Sequence, residues 1–149
     1  IGMAKKHLHK TAQELTEEFT SIGMKAYISV NKALVTQASS AIPIVPLYFA
    51  LLYQVMKEKG IHEGCIEQTE RMFREKLFSD SVITDDENRI RLDDLEMRKD
   101  VQEETMRRWK MIHCNNLSEL ADLKGYWDDF YHMFGFGFSN VDYTKEVEI

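Results

Sequence analysis

A chain of 149 residues can bury a sizeable core, and its 44% apolar content is that of a globular protein rather than a disordered one. The net charge of −6 argues against nucleic acid as a partner, which would want a basic face. Cys65 and Cys114 are too few and too separated for a disulfide scaffold, so a reducing compartment, the cytoplasm, is the simpler reading.

Ala4, Leu8, Ala12, Leu15 and Phe19 recur at helical spacing and predict one amphipathic helix over about residues 3–20. It opens at Ile1-Gly2-Met3-Ala4 with no capping signal and no initiator methionine, as a piece of a longer polypeptide would. Gly23 breaks the helix, and Lys25–Val30 reads as a strand. After the polar turn Asn31-Lys32 come small and hydroxyl residues, Ala33, Thr36, Ala38, Ser39 and Ser40, with a short helical turn over Thr36–Ser40. A strand end that spills such residues beside an apolar wall is how α/β enzymes build a ligand crevice. Ala41–Met56 supplies the wall; Pro43, Pro46 and Gln54 interrupt it, and it is too short to span a membrane. Pro46 suits the first turn of a helix that runs to about Lys59 and ends at Gly60.

Cys65–Phe78 reads as the next helix, with Ile66, Phe73 and Leu77 on one face. Asp85–Asn88 is a turn cluster ahead of Arg89–Leu92, which alternates charged and apolar residues like a short exposed strand. Asp100–His113, Leu117–Leu123 and Tyr126–Phe134 are helical, and Val141–Tyr143 is a last short strand. The aromatic cluster from Tyr126 to Phe138 predicts a helix and loop packed onto the core. The acidic groups Asp85–Glu87, Asp93-Asp94 and Glu103-Glu104 read as solvated surface.

Several motifs carry less chemistry than they suggest. His7 and His9 lie two apart and face different ways on a helix, while His62-x-x-Cys65 and His113-Cys114 lack zinc-module spacing, so no metal is expected. Gly135-Phe136-Gly137 lacks the third glycine of a dinucleotide fingerprint and follows a helix-like segment rather than a strand. Lys5 sits roughly 60° from the centre of the apolar stripe, at the edge of the buried face, whereas Lys6 and Lys10 point far from it. There it is either a snorkelling surface lysine or an ammonium able to reach a site. Thr36 is a helix N-cap, a hydroxyl beside an anion site, or both. Lys32 either helps with a phosphate or is solvated. Ile42, Pro43, Ile44 and Tyr48 read as pocket wall or as plain core packing.

VNKALVTQASSAIP (residues 30–43), KEKGIHEGCIEQ (57–68), RIRLDD (89–94), LADLKGY (120–126) and MFGFG (133–137) occur in one order. That series resembles the C-terminal part of the trans-2-enoyl-CoA/enoyl-ACP reductases of the FabV type, single-chain NADH-dependent enzymes distantly related to the short-chain dehydrogenases. It covers almost the whole chain, with looser matching near residues 79–87 and 139–149. The resemblance implies an α/β fold: the mostly helical C-terminal portion of a single Rossmann-like reductase domain, with few strands and its cofactor-binding N-terminal part absent.

The family pattern separates a tyrosine and a lysine by eight residues, the lysine following IG-x-A. That match lands on Lys5 as the catalytic and ribose-holding lysine and puts the tyrosine just before the chain begins. Ile1 stands where an ordinary short-chain dehydrogenase has its tyrosine. The resemblance further implies NADH as cofactor, met by Lys5, Lys32, the Leu34-Val35 backbone and the Thr36 hydroxyl. Ile42, Pro43, Ile44 and Tyr48 then wall the acyl pocket. The implied reaction reduces the C2=C3 bond of an enoyl-CoA or enoyl-ACP thioester in a parent that acts as a monomer, and this chain by itself is expected to be inactive. A non-catalytic helical interaction module is the alternative, and a tyrosine just upstream of Ile1 would separate the two.

Overall fold

A computed structural model describes residues 2–78 and 81–146. In chain order the elements are α1 (Gly2–Glu18), a 3-10 turn (Thr20–Ile22), β1 (Ile28–Val30), α2 (Gln37–Ser40), α3 (Val45–Glu58), α4 (Cys65–Arg71) continuing into a π-helical stretch (Met72–Leu77), β2 (Arg89–Arg91), α5 (Lys99–Met111), α6 (Leu117–Leu120) and α7 (Leu123–His132). The chain divides into two compact units, Ile1–Lys32 with Glu63–Asp94 and Ala33–His62 with Leu95–Ile149. Helix dominates and one small parallel sheet is present among the described residues, so the α/β, mostly helical expectation holds.

In the first unit β1 and β2 pair in parallel, Ile28 opposite Arg89, Ser29 opposite Ile90 and Val30 opposite Arg91. The Leu92 N–H extends the ladder by donating to the Val30 carbonyl at 2.8 Å. Ile90 and Leu92 are each 2% exposed, so this strand is not the exposed one its charge alternation suggests. Arg89 and Arg91 are half-buried, and their charges are met by Asp85 and Asp93. Asp93 is itself buried, which corrects the solvated reading of that acidic pair.

Helix α1 ends as expected: Gly23 sits at φ +74°, a left-handed conformation that glycine adopts without strain. Its apolar stripe, however, covers nothing fully, because α1 has no buried residue and Leu8 and Leu15 remain exposed. Lys5 therefore stands at no buried edge among the described residues. The inward side of α4 also differs from its apolar reading. Gln68 and Arg71 are buried, while Ile66 and Phe73 are exposed. Arg71 explains this: its guanidinium pairs with Glu63 and Asp94 and donates to the Leu92 carbonyl at 2.9 Å. A π-helical stretch follows Arg71, in which Phe73 is exposed like Ile66 and Leu77 is half-buried.

The second unit holds the apolar core. Pro46 lies in the first turn of α3, where its missing N–H costs nothing, and Gly60 at φ +66° follows the helix end. Leu51, Leu52, Tyr53 and Met56 of α3 are fully buried, packing with Val101 of α5 and with Ala121 and Tyr126 near α7. Asp122 caps α7 by accepting from the Gly125 N–H at 2.8 Å and also pairs with Lys57 of α3. Arg108 of α5 is 8% exposed and joins Glu58 of α3 to Glu104 of its own helix.

Two expectations fail here. Only Tyr126 and Phe130 of the aromatic cluster reach the core, while the other rings stay exposed, Trp127 against Tyr131, Phe134 against Phe130, Phe136 against Tyr143 and Phe138 on His132. Residues 141–143 form no strand, because Asp142 instead turns the chain by accepting from the Thr144 N–H at 3.0 Å.

Candidate cofactor and substrate site

The segment from Ala33 to Thr36 is held at three points. The Ala33 N–H donates to Glu96 Oε2 at 2.7 Å. Val35 is buried in the same core cluster as Tyr53, whose pKa is driven up by burial first and by the Asp129 carboxylate next. Thr36 has extended backbone and caps α2 reciprocally: the Ser39 N–H donates to Thr36 Oγ1 at 3.1 Å, and the Thr36 N–H donates to Ser39 Oγ at 2.8 Å. A main-chain run fixed this way presents its remaining polar groups in one geometry, which is what recognition of a flat carboxamide requires.

Beside it in the same unit, α3 and α5 enclose a cavity of about 480 Å³, within the range of small-ligand pockets. Ile44, Tyr48 and Phe49 line one side, and Gln102, Met106 and Trp109 of α5 line the other. The Tyr48 hydroxyl donates to Glu96 Oε1 at 3.0 Å. Burial, helped by the Glu96 charge and opposed by the Gln102 hydrogen bond, pushes its pKa up to about 12, so it is a donor and not a base near neutral pH. Gln102 Nε2 in turn donates to the Glu96 carbonyl at 2.9 Å.

At the cavity mouth Ile44 has φ +76°, a conformation that costs a β-branched residue energy.

The predicted residues fall in both units. Leu34 is half-buried, Val35 buried and Thr36 exposed. Ile42 and Pro43 are exposed in the turn before α3, whereas Ile44 and Tyr48 line the cavity. Lys32 is 2% exposed, which removes the solvated reading, and its N–H donates to Gln68 Oε1 at 3.0 Å. Lys5 is exposed and lines an open groove of the first unit with Lys6, His9, Lys10, Gln13 and Glu87. Ile1 lies outside the described residues.

Sequence reasoning missed Glu96, Gln102 and the α5 side of the cavity. The inward face of α5 was findable, since Val101, Thr105 and Arg108 recur at helical spacing and are all buried. Glu96 had no such signal: nothing in Leu95-Glu96-Met97 distinguishes a buried acceptor from a surface acid.

Residues 1–78 match the family described as trans-2-enoyl-CoA reductase catalytic region. The chain belongs to this family. Residues 84–147 match a second family description, enoyl reductase FAD binding domain. The chain is 58% identical over its full length to an enoyl-[acyl-carrier-protein] reductase [NADH] of Coxiella burnetii and 55% identical over 99% of its length to one of Flavobacterium psychrophilum. It spans 37% of the length of either relative. Among solved structures it resembles a trans-2-enoyl-CoA reductase of Clostridium acetobutylicum in complex with NAD, with a TM-score of 0.92 and 52% identity over 99% of this chain and 39% of that one. The corresponding protein of Treponema denticola, also in complex with NAD, gives a TM-score of 0.89 and 46% identity over 98% of this chain and 37% of that one.

The flavin named in the second description does not fit these residues. A dinucleotide pyrophosphate seeks a helix N-terminus free of negative charge. Both long helices in that stretch open on carboxylates already engaged, Asp100 with Arg98 and Lys59 at α5 and Asp122 with Lys57 at α7.

Proposed function

We propose that both units of this chain belong to a single reductase domain, which reduces the C2=C3 double bond of trans-2-enoyl thioesters, enoyl-CoA or enoyl-ACP, with NADH in fatty acid synthesis. One observation carries the reading: the fixed segment Ala33–Thr36 and the apolar cavity at Tyr48 meet on one carboxylate, Glu96. Such a pairing suits a flat cofactor head on one side and an acyl chain on the other. The names of the relatives agree with both.

Bound NADH would supply a hydride to C3 of the substrate. Negative charge then develops on the thioester oxygen as an enolate, and a hydrogen-bond donor aimed at that oxygen stabilises it. The family pattern gives this role to the tyrosine upstream of Ile1. Lys5 holds the ribose hydroxyls and, as a fixed cation, favours proton delivery by that tyrosine. The Leu34-Val35 backbone meets the carboxamide, and the Thr36 hydroxyl lies near the phosphates or the acyl group. Lys32, buried and with its N–H held by Gln68, contributes to cofactor binding. Ile44 and Tyr48 wall the acyl pocket, joined by Met106 and Trp109, and Ile42 and Pro43, exposed in the turn before α3, lie outside its lining.

We place the enzyme in the cytoplasm as a monomer that does not bind nucleic acid. Both cysteines are free and exposed, the chain is acidic, and no helix among the described residues is long and apolar enough to cross a membrane.

The test is NADH consumption with a short trans-2-enoyl-CoA by a full-length reductase carrying these residues, wild type against Lys5→Ala. The variant is expected to lose on the order of 10²-fold in turnover with its fold unchanged. Unchanged turnover would remove Lys5 from the site. Absence of turnover in the wild type, with CoA and carrier-protein substrates both tried, would overturn the reaction.

A further inference from the structure

Glu96 occupies an unusual position for a carboxylate. It is 8% exposed, although it lies in the loop before α5 rather than in a regular element. Its two oxygens serve different segments of the second unit: Oε2 accepts the Ala33 N–H at 2.7 Å, and Oε1 accepts the Tyr48 hydroxyl at 3.0 Å. Its own carbonyl is held by Gln102 Nε2 at 2.9 Å, so the loop cannot drift from α5. A buried carboxylate without hydrogen bonds is strongly unfavourable, whereas one that accepts at both oxygens is tolerated and fixes its donors. Ala33 opens the segment proposed to meet the carboxamide, and Tyr48 is a wall of the proposed acyl cavity.

We propose that Glu96 is a positioning residue of the reductase, a buried clamp that keeps the Leu34–Thr36 main chain and the Tyr48 wall in fixed register, so that the hydride donor and C3 of the enoyl chain are set at one distance. This rests on the function proposed above. Glu96 takes no proton in the reaction; it acts through Ala33 and Tyr48. Misplacement of a reacting pair by about 1 Å costs as much as 10²-fold in rate, which gives a remote clamp its leverage.

Three variants in the full-length reductase test the clamp. An amide can accept the Ala33 N–H through its oxygen and donate to the Tyr48 oxygen through its nitrogen. Glu96→Gln is therefore expected to keep the KM for NADH and for the enoyl-CoA within about threefold of wild type. Glu96→Leu removes both contacts and is expected to raise both KM values roughly tenfold or more. Tyr48→Phe cuts one arm and is expected to raise only the enoyl-CoA KM, leaving that for NADH unchanged.

A purely structural role predicts otherwise: Glu96→Leu would lower the folded fraction and hence apparent kcat, with both KM values unmoved, and that result would overturn the clamp. So would Glu96→Gln behaving as badly as Glu96→Leu, since charge and not geometry would then matter. If Glu96→Leu does not fold, Tyr48→Phe decides, and an unchanged enoyl-CoA KM contradicts the proposal. A wild type active with NADH beside unaffected variants sinks the clamp alone, whereas an inactive wild type sinks the function and the clamp with it.

Discussion

Thr105 is 2% exposed and its hydroxyl has no hydrogen-bond partner among the described residues, although it sits on the α5 face that lines the cavity. A buried, unsatisfied hydroxyl is destabilising, and an apolar group of the same shape removes that cost. Thr105→Val is therefore expected to stabilise the protein by about 1 kcal/mol, read as a higher unfolding midpoint in urea at unchanged slope. A lower midpoint would mean that the hydroxyl finds an acceptor in solution. Single residues were also where the sequence said least. The choice at Thr36 between N-cap and ligand contact was open, and the structure supplies the cap while leaving the side chain exposed. Lys32 and Glu96 are buried for tertiary reasons that no local pattern records.

Among the elements, legibility followed periodicity. α1, α3, α5 and α7 lie close to their expected ranges because each is long and regular, and α3 and α7 are also bounded by a proline and a glycine or by a capping side chain. The sidedness of α4 and β2 was misread because paired charges occupy positions that an apolar pattern would claim, as Arg71 and Asp93 do. Of the expected wall residues Ile44 and Tyr48 line the cavity and Ile42 and Pro43 do not, while the inward face of α5 was traceable by the spacing of Val101, Thr105 and Arg108 although its third member is charged.

Burial also ranks the helices by stability. α3 buries seven residues and α1 none, so native-state hydrogen exchange should open α1 well before α3. Equal protection of the two would show that α1 is covered in solution. Arg108 gives α5 and α3 a pH dependence. Arg107 first, and then Arg108, hold the Glu104 carboxyl at a pKa of about 2, and Arg108 also lowers that of Glu58. A depressed carboxylate pKa contributes stability that is fully present above the unfolded value of about 4.3 and is lost as pH falls through the folded value. The unfolding temperature should thus decline between about pH 4.3 and pH 2, and Arg108→Met should flatten that decline. An unchanged acid limb in the variant would show that these pairs add nothing.

At the scale of the whole molecule, the chain spans 37% of its curated relatives' length. The resemblance assigns the proton-donating tyrosine to a position before Ile1. The 149-residue chain by itself is therefore expected not to consume NADH in the presence of a short enoyl-CoA. Turnover by it, followed as loss of NADH absorbance, would mean that these residues carry a complete site. The most direct test of the central claim follows the transferred atom in a full-length reductase carrying this chain. With NADH deuterated at the transferring position of C4 and a trans-2-enoyl-CoA in ordinary water, the saturated product should carry one deuterium, at C3, with a solvent proton at C2. Deuterium at C2, or a product with none, would contradict hydride delivery to C3 and with it the roles given to Lys5, the Ala33–Thr36 segment and the Tyr48 cavity.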